Sequence, residues 1–249
     1  METIDILRQS PLFAGVDRQM LEEMAGTLVL ERHVKDAEVL PAGHAVERFF
    51  VLAQGRVKIT RSNGNDGREL TLWLLGPGDG FDILSLLDEQ PSVVSAWTLD
   101  EVATLSAPVA VFHDWLERCA AFRAAVYSYI AKQLRTLTEL AASLALHDTM
   151  SRLAHLLLRH FEPESGSSSA SRVNLIRDLP HEELASSIGS VRVVVNRLLA
   201  RLKRDSVIEV QNGRLGIVNL KRLVRHAEAR LKAGDGEARK TRRDRSAKA

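Results

Sequence analysis

The side chains best placed to act on a ligand form two pairs four residues apart, Arg192 with Asn196 and Arg197 with Arg201, in the stretch VRVVVNRLLARLKR. Four-residue steps bring side chains onto one side of a helix. A guanidinium in that setting bonds bidentately to guanine O6 and N7, and an asparagine amide does the same with adenine. Val193, between them, offers only an apolar contact such as a thymine methyl accepts. Val191, Val195, Leu198, Leu199 and Leu202 fall at spacings that bury the opposite side. A basic solvent-facing helix in an ordinary bundle has the same pattern, so the neighbouring elements decide between the two.

Upstream, PHEELASSIGS predicts a short helix and a tight turn. Pro180 suits a helix start, Glu182 and Glu183 lie in a first turn where the dipole favours negative charge, and Leu184, Ala185 and Ile188 form an apolar stripe. Gly189 stands where the turn needs positive φ. Downstream, Val207–Val210 and Leu215–Val218 flank Gln211-Asn212-Gly213-Arg214, a two-residue hairpin signal, with Arg214 a further candidate for DNA contact. Helix, turn, basic helix and hairpin together describe a winged helix-turn-helix.

From about Leu12 to Leu223 the order of these parts resembles the CRP/FNR family of transcription regulators. In that family a Ser or Cys after the turn glycine is followed by an Arg, a Glu and a second Arg. Here the matching residues are Ser190, Arg192, Val193 and Arg197, so both arginines are kept and the carboxylate is not. A carboxylate accepts from cytosine N4 and a valine cannot, so the half-site is expected to differ from the family's usual one.

Leu28 to Leu105 breaks into short runs punctuated by Gly43, Gly55, Gly64, Gly67, Gly76, Gly78 and Gly80, with strands expected at Val51–Leu52, Val57–Thr60, Leu70–Leu74 and Val102–Leu105. The resemblance implies the double-stranded β-roll of cyclic-nucleotide-binding domains. In such binders, Gly and Glu after a Pro-Gly-Asp turn and a later Arg-Ser pair hold the nucleotide. Here Asp82 and Ile83 occupy the Gly and Glu places, and Val94 replaces the Arg before Ser95. Asp82 would repel a phosphate that has lost its charge-assisted partner, so an effector other than cAMP is expected. Trp73, Phe81, Leu84, Val93 and Val94 would form an apolar pocket or simply fill the roll. Haem, as in some relatives, is the alternative effector, with His33, His44 and His113 as candidate ligands.

Between Val109 and about His160 helix is expected. Ile130, Leu134, Leu137, Ala141 and Leu144 step by four and three, the seam of a parallel dimer. Tyr127 and Thr138 are the polar groups of this helix expected to face the effector pocket. Two copies would read half-sites about one DNA turn apart.

The predicted fold class is α+β: N-terminal helices and a β-roll over 1–108, a dimerisation helix over 109–147, a winged helix-turn-helix over 148–231, and a basic disordered tail over 232–249. Within it, GSSSAS marks a loop, and a helix is expected at Leu220–Leu231. A chain that is 45% hydrophobic and 27% charged suits a soluble globular protein, and its net charge of +2 means that binding a polyanion depends on local clustering of cations. The single cysteine, Cys119, cannot supply an iron-sulfur cluster. The absence of a membrane-length apolar run or a signal peptide leads to an expected bacterial cytoplasmic location. The expected partners are a two-fold symmetric DNA operator, a second copy of the chain and RNA polymerase. A ligand-independent DNA binder and a β-roll metalloenzyme are the other readings, and the latter needs a convergent His/carboxylate set that isolated histidines do not supply.

Overall fold

A computed structural model describes residues 2–64, 67–160, 175–176, 178–211 and 214–228, with backbone only at Gln211 and Arg214. The tip of the expected hairpin, the GSSSAS loop and the basic tail lie outside these residues.

The chain is a mixture of helix and strand, as expected. Pro11 splits the N-terminal helical stretch into α1 (Thr3–Gln9), a 3-10 turn (Pro11–Phe13) and α2 (Arg18–Thr27). Ser10 and Asp17 cap the last two, accepting from Leu12 N at 3.2 Å and Met20 N at 2.9 Å. The roll follows as β1 (Val29–His33), β2 (Glu38–Leu40), β3 (Arg48–Gln54), β4 (Val57–Ser62), β5 (Glu69–Leu75), β6 (Ser95–Thr98) and β7 (Val102–Pro108). These strands pair antiparallel in two sheets, ordered β1-β7-β3 and β2-β6-β4-β5. The turn between β3 and β4 requires glycine: Gly55 has φ +84°, and a Cβ there would lie 2.6 Å from the Glu101 carbonyl.

A six-residue helix, α3 (Ile83–Asp88), follows the Pro-Gly-Asp turn. The single long helix expected from Val109 is two helices, α4 (Val109–Arg118) and α5 (Ala120–Leu146), parted at Cys119, whose backbone is extended. Their roots close over an aromatic cluster. Phe13, Phe49, Phe112, Trp115 and Phe122 are all at most 2% exposed, and their ring centroids lie 5.0 to 6.4 Å apart. Rings in such edge and stacked arrangements add to the gain from burial alone.

The C-terminal part comprises α6 (Thr149–Arg159), α7 (His181–Ser187), α8 (Arg192–Arg204), β8 (Ile208–Gln211), β9 (Arg214–Ile217) and α9 (Leu220–Glu228). Asp148 caps α6 through Ser151 N at 2.8 Å. Leu153, Leu157, Leu184, Ile188, Val195, Leu199, Leu202 and Leu223 form its core, which Leu99 of the roll joins.

Candidate nucleic-acid interface and effector region

The turn between α7 and α8 is tied by backbone bonds from Gly189 N to Ser186 O, at 3.3 Å, and from Ser190 N to Ala185 O, at 2.9 Å. Gly189 has φ +59°, and a Cβ there would meet Leu144 Cδ2 at 2.7 Å. Positive φ and close packing therefore both demand glycine.

This turn lays α8 down on Val195, Leu199 and Leu202, which are buried. Val191 was expected on that side, but it sits at the cap and is 57% exposed, because the helix begins one residue later. Arg192, Val193, Asn196, Arg197 and Arg201 all face solvent, Val193 at 77%. Their surroundings differ. Arg201 and Arg204 share Asp205, each at 3.8 Å, whereas Arg192 and Arg197 have no ion-pair partner among the described residues. The Asn196 carbonyl oxygen is hydrogen-bonded to His181 Nδ1, which requires the tautomer with a proton on that nitrogen. This contact was not legible from spacing, since the two residues lie on different helices. Arg214 opens β9, and its side chain is outside the described part.

The candidate effector residues divide into three groups. Phe81, Ile83 and Val94 are at most 5% exposed and pack inside the roll, with Phe81 stacked on Phe50 at 4.9 Å. Trp73 is half-buried against the same core, its Nε1 without a partner among the described residues, and Ser95 Oγ accepts from Ala42 N at 3.1 Å. Leu84 and Val93, by contrast, are 56% and 57% exposed, so they do not line an interior pocket of this chain.

Two polar expectations are corrected. Tyr127 is 59% exposed, and Thr138 is exposed with its hydroxyl donating to Leu134 O at 2.9 Å. Tyr129 is the group of α5 that faces the roll: it is 6% exposed and its hydroxyl donates to Gly80 O at 2.9 Å. Two residues along a helix turn a side chain through about 200°, so the sequence placed the wrong tyrosine inward.

Asp82 adopts a left-handed backbone, φ 52°. Its Oδ1 accepts from Ser85 Oγ at 2.9 Å, its Oδ2 is buried with no hydrogen-bond partner among the described residues, and burial pushes the carboxyl above its usual range against the Ser85 hydrogen bond. Ile83, next to it in sequence, and Val94 are both buried.

The histidines proposed for haem do not converge. His33 is at the β1 end paired with Val102, with Nε2 3.2 Å from Thr104 Oγ1, while His113 is on α4, beyond the opposite end of β7. His44 is exposed, with Nδ1 3.3 Å from Ala42 O. They supply no convergent ligand set, and His113 Nε2 is buried with no hydrogen-bond partner among the described residues. Among the described residues, no group of three or more His, Cys, Asp or Glu side chains could hold a metal ion. Nor is any helix among them long and apolar enough to cross a membrane.

A cyclic nucleotide-binding domain matches residues 31–119, and a Crp-like helix-turn-helix domain matches residues 151–226. The chain is 28% identical over 223 residues to a CRP-like cAMP-activated global transcriptional regulator of Mycobacterium tuberculosis, covering 90% of this chain and 99% of that one. It is 29% identical over 217 residues to a global nitrogen regulator of a Nostoc species, covering 85% and 95%. The solved structure of FixK2 from Bradyrhizobium japonicum superposes with a TM-score of 0.68 at 17% identity, covering 81% of this chain and 98% of that one. Both of the curated relatives are regulators, and the FixK2 structure shows the shared fold. With a β-roll of cyclic-nucleotide-binding type leading through a long helix into a Crp-like helix-turn-helix, the chain belongs to the CRP/FNR family of transcription regulators.

Proposed function

We propose that the chain is a homodimeric, sequence-specific DNA-binding regulator whose operator is two-fold symmetric, whose roll does not bind cAMP, and which contacts RNA polymerase. The observation that carries the DNA reading is the exposed couple Arg192 and Arg197, without ion-pair partners among the described residues, beside Val193 on α8 and presented by the Gly189 turn. Those side chains suit guanine and an apolar base edge. Dimerisation is supported by the middle of α5, where Leu134 is 63% exposed and Leu137 and Ala141 continue the same stripe. The ends of that stripe are used within the chain, Ile130 against the roll core and Leu144 under Gly189.

The effector reading rests on Asp82, Ile83 and Val94. A half-buried carboxyl and two buried aliphatic side chains give a cyclic phosphate neither a donor nor a compensating charge. Selection of duplexes from a randomised pool by the full-length protein tests the DNA reading, and enrichment of an inverted repeat with half-sites one helical turn apart is expected. Titrating cAMP into that complex is expected to leave its affinity unchanged. A cAMP-dependent gain would overturn the effector reading while leaving the DNA reading intact.

A further inference from the structure

The roll and the helix-turn-helix meet directly, away from α5, through two cations on the roll's β3–β4 turn and β4. The Arg56 side chain, 11% exposed, forks onto Asp100, with Nε to Oδ2 at 2.7 Å and Nη2 to Oδ1 at 2.8 Å. Its remaining nitrogen, Nη1, crosses to Asp178 Oδ1 at 2.6 Å and Leu175 O at 3.1 Å, just before α7. The Lys58 ammonium, 14% exposed, bridges Glu69 on the neighbouring strand β5 at 2.8 Å and Glu183 on α7 at 3.0 Å. One helical turn along α7, Ser186 Oγ is 2.8 Å from Thr71 Oγ1 of β5. Leu70 and Leu74 of β5 continue the contact, one near Gly189 and the other against the C-terminal core.

Exposed ion pairs contribute little, but these cations are largely dehydrated, and removing one partner leaves a buried charge uncompensated. Burial pulls the Lys58 ammonium down, yet its bonds to Glu69 and Glu183 prevail and hold it above its ordinary range. The clasp grips α7 and the residues just before it. None of Arg192, Val193 and Arg197 takes part in it, and all three remain in solvent.

We propose that Arg56 and Lys58 are positioning residues for DNA reading: by fixing α7 to the roll they fix α8 across the Gly189 turn, so the roll sets recognition-helix placement by direct contact. A recognition helix held in place before encounter spares the ordering cost that a loosely tethered one bears on binding. The inference rests on the DNA-reading function proposed above and falls with it.

The test uses full-length protein and the duplex that the wild type selects. Lys58→Glu and Glu183→Lys are each expected to weaken binding to that duplex by roughly tenfold, within the usual range of inter-site coupling. The double exchange, and Lys58→Arg alone, are expected to recover most of the loss. Bulk charge makes the opposite forecast for Glu183→Lys, which adds positive charge and would tighten binding to any DNA. Opposite shifts for the two single variants, tighter binding by both, no shift, or no recovery in the exchange would each overturn the proposal. Thr71→Val, which removes one neutral bond, is expected to weaken binding by about twofold to threefold, and it replaces the charge variants if these fail to fold. Its having no effect would then overturn the proposal. If the wild type selects no duplex at all, the DNA reading itself has failed, a result distinct from any of these.

Discussion

Arg197 and Arg201 are of one residue type on one helix side, but their neighbours separate them. Arg197 is unpaired among the described residues, so a bidentate base contact forms without first breaking one of their bonds, and Arg197→Ala is expected to cost about 1 to 3 kcal/mol of operator affinity. Arg201 already shares Asp205 at 3.8 Å, and Arg201→Ala is expected to cost less than half as much. Gel-shift titrations of the two variants on one operator duplex measure the difference. At this scale the sequence was informative wherever residue type alone decided the chemistry: all of the α8 candidates proved exposed. It failed where rotation about a helix axis decided. Tyr127 and Tyr129 are equally plausible as letters, and only the seating of Phe122 and Val126 in the aromatic core turns 129 inward and 127 outward.

Among the elements, the α7–α8 turn is the least tolerant of change. Gly189→Ala imposes a left-handed backbone on an L-residue and drives a methyl group against Leu144, with an expected destabilisation of about 1 to 2 kcal/mol or more. Thermal unfolding of the variant, read together with its loss of operator binding, checks this. The winged region was legible because strong periodicity and turn glycines coincide there. Strand β1 was not, since its residues alternate between exposed and half-buried without a clean apolar face, and Val29 and Leu30 are more than half exposed on an edge. Strands β2 and β6 are three and four residues long, too short for a period of two to register. Helix α3 was missed because its six residues stand between two left-handed positions, Asp82 and Glu89, neither of which is a glycine.

For the whole molecule, two expectations follow from charge and from the seam. Burial and the nearby Arg159 push His160 down to about 4, whereas an unfolded histidine titrates near 6.5. Folding therefore favours the neutral ring. That contribution is complete above about pH 6.5 and is lost as the pH falls toward 4, so the unfolding temperature should drop across this interval. The drop is expected to be shallower in His160→Gln. On the seam, Leu134→Asp places a charge at the most exposed leucine of α5. It is expected to yield a monomer in sedimentation experiments and to abolish operator binding, while the fold of each protomer survives.

The five aromatic rings that close over the root of α5 have a mechanical corollary. They seat one end of a 27-residue helix, about 40 Å long at 1.5 Å per residue, in the buried core of the roll. A rod anchored in that way behaves as a lever: a tilt of about 5° at the base sweeps its far tip, where Leu144 packs under Gly189, through about 3.5 Å over that length. Repacking the rings, for example by Phe122→Leu, would therefore act on DNA recognition from the far end of the protein without touching a single residue that meets a base.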